Sequence, residues 1–151
     1  VTLAYLGSLS GSAVEGGARA KAMQAASLRS VVEIAEQIKG ASFECDVESL
    51  GFFPDAKSRV LALYIKPNSV LLSLQARLHE SLQEAGFDCD ERPYKPHITL
   101  ARLKHRQEIS GWQLPDYSTT FSAQSFALYG SEPPAKQAQE KLYQQIAEFS
   151  L

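Results

Sequence analysis

Two periods of apolar recurrence divide the chain. From about Ala18 to Lys39, Leu28, Val31, Val32, Ala35 and Ile38 return at three- and four-residue steps and Gly40 follows as a stop, which predicts an amphipathic helix. Leu71, Leu74, Leu78 and Leu82 keep the same spacing behind Asn68 or Ser69, either of which can cap, and Gly86 ends this second helix. Between the helices, Phe43, Cys45 and Val47 alternate with polar neighbours, and Arg59 to Ile65 is a β-rich run closed by Lys66-Pro67; together they suggest a hairpin. Further strands are expected over His97 to Ala101, Phe121 to Tyr129 and Tyr143 to Leu151. In the last, Tyr143, Ala147, Phe149 and Leu151 share one face of a period-2 pattern, although a helix from Ala135 to Phe149 fits nearly as well. Val1 to Gly7 reads as a strand leaving a core, and the Gly/Ser-rich stretch Leu9 to Gly17 as a loop. Strands and helices interleaved through hairpin-length connections predict an α+β fold with antiparallel sheets, not a doubly wound parallel one.

One phrase occurs twice. Val1-Thr2-Leu3-Ala4 lies in register over Ile98-Thr99-Leu100-Ala101, and no other internal duplication is present. The position matching His97 falls immediately before Val1. Since Val1 is not an initiator methionine and opens within a strand-like phrase, the sequence is expected to lack an N-terminal piece.

Composition narrows the chemistry. The chain has 151 residues, 44% of them hydrophobic and 21% charged, which suits one domain that buries its own core. No apolar run approaches the roughly 20 residues of a membrane span, so neither a membrane segment nor a signal peptide is expected. A formal charge of −2 offers no global field for nucleic acid, so any such binding must be local. Cys45 and Cys89 lack C-x-x-C spacing and point to reduced thiols in a cytoplasm. His79, His97 and His105 are too few and too scattered to suggest a metal site, so metal-free chemistry is expected.

What His97-Ile98-Thr99 offers is geometric. On a strand, residues two apart share a face about 6.7 Å apart, so His97 and Thr99 look one way while Ile98 and Leu100 look into the core. An imidazole exchanges protons near neutral pH, and positioned acid–base catalysis is worth about 10²- to 10⁴-fold. A threonine hydroxyl can donate to an anionic oxygen while remaining neutral. Pro93 and Pro96 stiffen the approach. Arg92, Lys95, Arg102, Lys104 and Arg106 are five of the 15 basic side chains, clustered around the phrase as a local anion site. Arg102 can clamp two phosphate oxygens with its fork, but strict alternation puts it opposite His97, so the strand must end or bulge near Ala101.

These residues resemble the 2H phosphoesterases, a family named for paired H-x-[ST]-h motifs; within it, PHITLAR and VTLAYLG look most like the RNA 2′,3′-cyclic phosphodiesterases first described as 2′-5′ RNA ligases. GFFPDAKSRVLALYI, RPYKPHITLAR and FALYGSE extend the likeness to most of the chain. The resemblance implies a bilobal α+β fold, with two antiparallel sheets and flanking helices around a pseudo-twofold cleft. It also implies a single domain over residues 1–151 that lacks an N-terminal strand and helix. It assigns His97 as a catalytic histidine, with Thr2, Thr99 and Arg102 as phosphate contacts, and RNA ends or cyclic nucleotides as substrates. It implies no metal, cofactor or obligate protein partner.

The competing reading is a non-catalytic binder of nucleotides or RNA ends that lacks the first-motif histidine. Tyr94, beside the second motif, is a candidate to stack on a base. Tyr5, Phe53 and Tyr129 read more readily as core, and Trp112 and Tyr117 as structural residues flanking a Pro115-Asp116 turn. His105 and His79 read as exposed, and Asp88, Asp90 and Glu91 as a solvated strand edge. Which histidine acts as base, and whether hydrolysis or ligation is the physiological direction, stay open.

Overall fold

The computed structural model describes residues 1–6, 18–105, 119–132 and 142–151. The expected loop at Leu9 to Gly17, together with Arg106, Trp112 and Tyr117, lies outside them. In chain order the elements are α1 (Ala18–Gln37), β1 (Phe43–Phe53), β2 (Val60–Ile65), α2 (Ser69–Glu84), β3 (His97–Arg102), β4 (Thr120–Ala123), β5 (Ser125–Glu132) and β6 (Leu142–Ser150). Strands β3-β2-β1-β4 form one sheet and β5-β6 another, every pairing antiparallel. The fold is α+β, as its periodicities predict. Among the described residues no helix is long and apolar enough to cross a membrane.

Helix α2 is the centre of the packing. The Asn68 side chain accepts from the Leu71 N–H at 2.8 Å and satisfies one otherwise orphaned first-turn donor. After Ala85 at the C-cap, Gly86 takes φ +82°, a conformation most side chains avoid. Leu71 packs with Cys45 and Ile65 of the larger sheet, while Leu74, Leu78 and Leu82 join Val31 of α1 and Ile38, just past its end. Phe126 and Leu128 of the smaller sheet, with Leu151 just past β6, close that second cluster. Burial pushes the Cys45 and Cys89 thiols above their ordinary pKa, as expected of inert core cysteines.

Four expectations change. Val1–Leu6 belongs to no strand; Leu3, Ala4 and Leu6 instead pack on the core, because a β-pattern becomes a strand only beside a hydrogen-bonding neighbour. The run Phe121 to Tyr129 is two strands in different sheets, parted at Gln124, whose carbonyl accepts from the Leu151 N–H at 3.0 Å. Strand β6 is a strand and not a helix, but its pairing shifts between Leu128 and Tyr129, so Ile146 is unpaired and Tyr143 emerges 69% exposed instead of joining Phe149. Finally, Asp88, Asp90 and Glu91 lie outside any strand.

Candidate active site

The two faces of the larger sheet differ in kind. Register places Leu61, Leu63 and Ile65 of β2 on one side with Phe52 of β1 and Ile98 of β3, and Leu61, Ile65 and Phe52 are buried. The other side carries Gly51 and Phe53 of β1, Val60, Ala62 and Tyr64 of β2, and His97 and Thr99 of β3.

Arg102 joins that second side through a bulge. Ala62 pairs with Thr99, but the next residue along β2, Leu61, pairs with Ala101, so Leu100 opposes no residue of its own. The extra residue reverses the parity beyond it, and Arg102, opposite Val60, returns to the face of His97 and Thr99. Leu100 is 51% exposed, not directed into the core as alternation alone would have it. Arg59 steadies the chain beyond: its carbonyl accepts from the Leu103 N–H at 2.8 Å and its guanidinium donates to the Lys104 carbonyl at 3.2 Å. Sequence reasoning missed Arg59, because its contact depends on this register.

The imidazole of His97 is half-buried and held in two ways. Nδ1 lies 2.8 Å from the Lys95 carbonyl oxygen. A carbonyl only accepts, so Nδ1 carries the proton and the neutral ring keeps its lone pair on Nε2. Nε2 has no hydrogen-bond partner among the described residues. One face of the ring stacks on Phe53, with centroids 3.6 Å apart and planes within 15°. Buried Pro96 precedes it and passes the Ile65 N–H a carbonyl partner at 3.0 Å, which ties the motif to β2.

The other sequence-selected residues fall into three groups. Thr2 and Thr99 are both exposed, and no hydrogen bond joins Thr2 to His97, Thr99 or Arg102 among the described residues. Their phrases do reach a common cluster, since Leu3 from one and Ile98 from the other pack against Cys45, Ile65 and Leu71. Tyr94 packs against that cluster too. Burial pushes its phenol up to about 12, with a smaller contribution from Cys45, and its hydroxyl finds no partner among the described residues. An unsatisfied buried hydroxyl costs about 1–3 kcal/mol. Tyr94→Phe is therefore expected to unfold at the same or a higher temperature than the parent, with turnover unchanged; thermal denaturation and a kinetic assay check it, and a large loss of activity would give the hydroxyl a role at the site.

Of the basic cluster, Arg92 is spent on Asp90: its Nε donates to Oδ1 at 2.8 Å and to Oδ2 at 3.0 Å. This bond holds the Asp90 carboxyl well below its usual range, at about 2. Lys95, Arg102 and Lys104 are exposed and form no ion pair among the described residues. His105 is exposed as expected, whereas His79 is half-buried with Nε2 3.1 Å from the Asp90 carbonyl. Tyr5 and Tyr129 are 68% and 55% exposed, against the core reading. Two surface hollows lie elsewhere, one of about 250 Å³ between Lys39, Ser69 and Arg77 and one of about 330 Å³ between Glu36 and Glu148. No three His, Cys, Asp or Glu side chains among the described residues are grouped to hold a metal ion.

Comparison with known proteins follows the same outline. Residues 1–129 match the family model of the 2'-5' RNA ligase superfamily. An RNA 2',3'-cyclic phosphodiesterase of Geobacillus stearothermophilus is 30% identical over 118 residues, which are 75% of this chain and 36% of the relative. A protein of the same name from Bacillus subtilis (strain 168) is 39% identical over 74 residues, 48% of this chain and 39% of the relative. The match thus spans little more than a third of either relative. Among solved structures, E. coli LigT complexed with 3'-AMP superposes with a TM-score of 0.68 at 22% identity, covering 84% of this chain and 70% of that one. TT0787 of Thermus thermophilus gives 0.67 at 23% identity, covering 83% and 70%. At such identities the likeness is one of fold.

Proposed function

The chain belongs to the 2'-5' RNA ligase superfamily of 2H phosphoesterases, and from that membership we propose that it supplies one half of a metal-free site hydrolysing RNA 2′,3′-cyclic phosphates. The observation that carries the reading is the single face of β3 bearing His97, Thr99 and, past the bulge, Arg102. Water attacks phosphorus, a P–O bond forms to it, and the bond to one ribose oxygen breaks to leave a phosphomonoester. One acid–base group takes the proton of the water and the other gives a proton to the departing ribose oxygen. His97 performs one of these transfers through Nε2, because Nδ1 is committed to the Lys95 carbonyl. Thr99 and Arg102 donate to the non-bridging oxygens as their charge grows. Thr2 is the matching neutral donor from the first phrase. Ligation to a 2′-5′ linkage follows the same path with a ribose 5′-hydroxyl attacking phosphorus in place of water, while the bond to the 3′-oxygen breaks and that oxygen takes the proton.

The founding test is turnover of a 2′,3′-cyclic nucleotide by the purified protein, which is expected to yield one phosphomonoester; no product under any condition would reject the assignment. Incubation with EDTA is expected to leave the rate unchanged, since every proposed charge on the phosphate is met by a side chain. Loss on chelation, restored by a divalent ion, would replace this mechanism with a metal-dependent one.

A further inference from the structure

We infer that Phe53 is a positioning residue for His97, through a stack built by the β1-β2 hairpin. The inference rests on the acid–base role of His97 given above. The hydrogen bond from Nδ1 fixes where that nitrogen points but leaves the imidazole free to rock about the bond. A flat ring 3.6 Å away and within 15° of parallel removes that freedom.

Phe53 is itself held. Its ring lies 6.0 Å from that of Tyr64, tilted by 47°. Tyr64 leans across to β1, where its hydroxyl donates to the Phe52 carbonyl at 2.8 Å, and the bare Cα of Gly51 makes room for it: a Cβ there would sit 3.2 Å from the Tyr64 ring. The order of support is therefore Gly51, Tyr64, Phe53, His97. The core gives no other account of Phe53. Its neighbour Phe52 is only 8% exposed on the apolar face, whereas Phe53 stands half-buried on the opposite face and belongs to neither core cluster. Holding Nε2 within a fraction of an ångström matters because a misplacement of about 1 Å can reduce turnover about 10²-fold.

Proton NMR and kinetics test this together. The chain has only three histidines, so the imidazole resonances are few, and His97→Ala identifies those of His97 by their loss. In the parent protein they are expected upfield, shifted by the Phe53 ring current. In Phe53→Leu they should move to the positions of an exposed histidine, with kcat on a 2′,3′-cyclic nucleotide falling about ten- to a hundredfold and KM held within about twofold. Phe53→Tyr should restore both. Gly51→Ala, which presses Tyr64 aside by a few tenths of an ångström without altering Phe53 or His97, should move the same resonances in the same direction and covers a leucine variant that fails to fold. Unmoved resonances in both variants, an unchanged kcat in Phe53→Leu, or a tyrosine variant no better than leucine overturns the positioning role. Parent-like turnover by His97→Ala instead overturns the acid–base reading, and the ring-current result then still reports whether the stack exists.

Discussion

His97→Ala is expected to lose at least about 10²-fold in kcat, and up to about 10⁴-fold, while the protein keeps its fold. The size reflects what is removed, a positioned proton carrier whose place water must take. The fold survives because the apolar side of β3 is anchored by Ile98, which packs on Cys45, Ile65 and Leu71, whereas His97 stands on the other face. What the folded state loses is the stack on Phe53 and the bond to the Lys95 carbonyl. An aromatic pair is worth about 0.5–1.5 kcal/mol, so a modest fall in Tm should accompany a collapse in rate. His97→Gln refines the test. Its amide can still reach the Lys95 carbonyl but cannot exchange a proton near neutral pH, so it should be as inactive as alanine and more stable. Circular dichroism, Tm and initial rates on a 2′,3′-cyclic nucleotide decide the matter; parent-like kcat in either variant removes His97 from the chemistry.

What could be read from the sequence follows the range of the interactions. Both helices, the Asn68 cap and the β1-β2 hairpin rest on neighbours a few residues apart, and periodicity exposes such contacts. Strand β3 was legible for the same reason, and so was the need for a bulge near Ala101, because His97, Thr99 and Arg102 cannot share a face without one. Which residue bulges was not legible, since that is settled by how β2 lies alongside. Sheet membership escaped for a similar reason. Phe121 to Tyr129 contains neither glycine turn nor proline before Gly130, and its division at Gln124 reflects two different partner strands. Tyr94 looked like a stacking residue through its nearness to the motif along the chain, yet the fold directs it to the core. Phe53 and His97 are far apart in sequence, and their contact appears only once the hairpin turns back and β3 pairs with β2.

Arg102→Ala is expected to lower kcat/KM roughly ten- to a hundredfold, the effect of losing a charged hydrogen-bond donor worth about 1.5–3 kcal/mol. Stability should hardly move, because Arg102 is exposed, has no ion pair among the described residues, and such surface changes usually stay within about 0.5 kcal/mol. Arg102→Lys keeps the charge but loses the two-pronged fork, and should fall between parent and alanine. The bulge supplies a sharper discrimination. Moving the guanidinium back by one position, with Ala101→Arg and Arg102→Ala together, preserves net charge but places the cation opposite Leu61, on the apolar side. Deleting Leu100 removes the unpaired residue and leaves Arg102 opposite Val60, still on the face of His97 and Thr99. Compared where each variant is folded, the deletion should therefore retain more kcat/KM than the transposition. If the transposed arginine works as well as the parent, Arg102 acts only by diffuse charge and the face assignment is wrong; if the deletion alone keeps activity, phosphate binding depends on which side of β3 carries the fork.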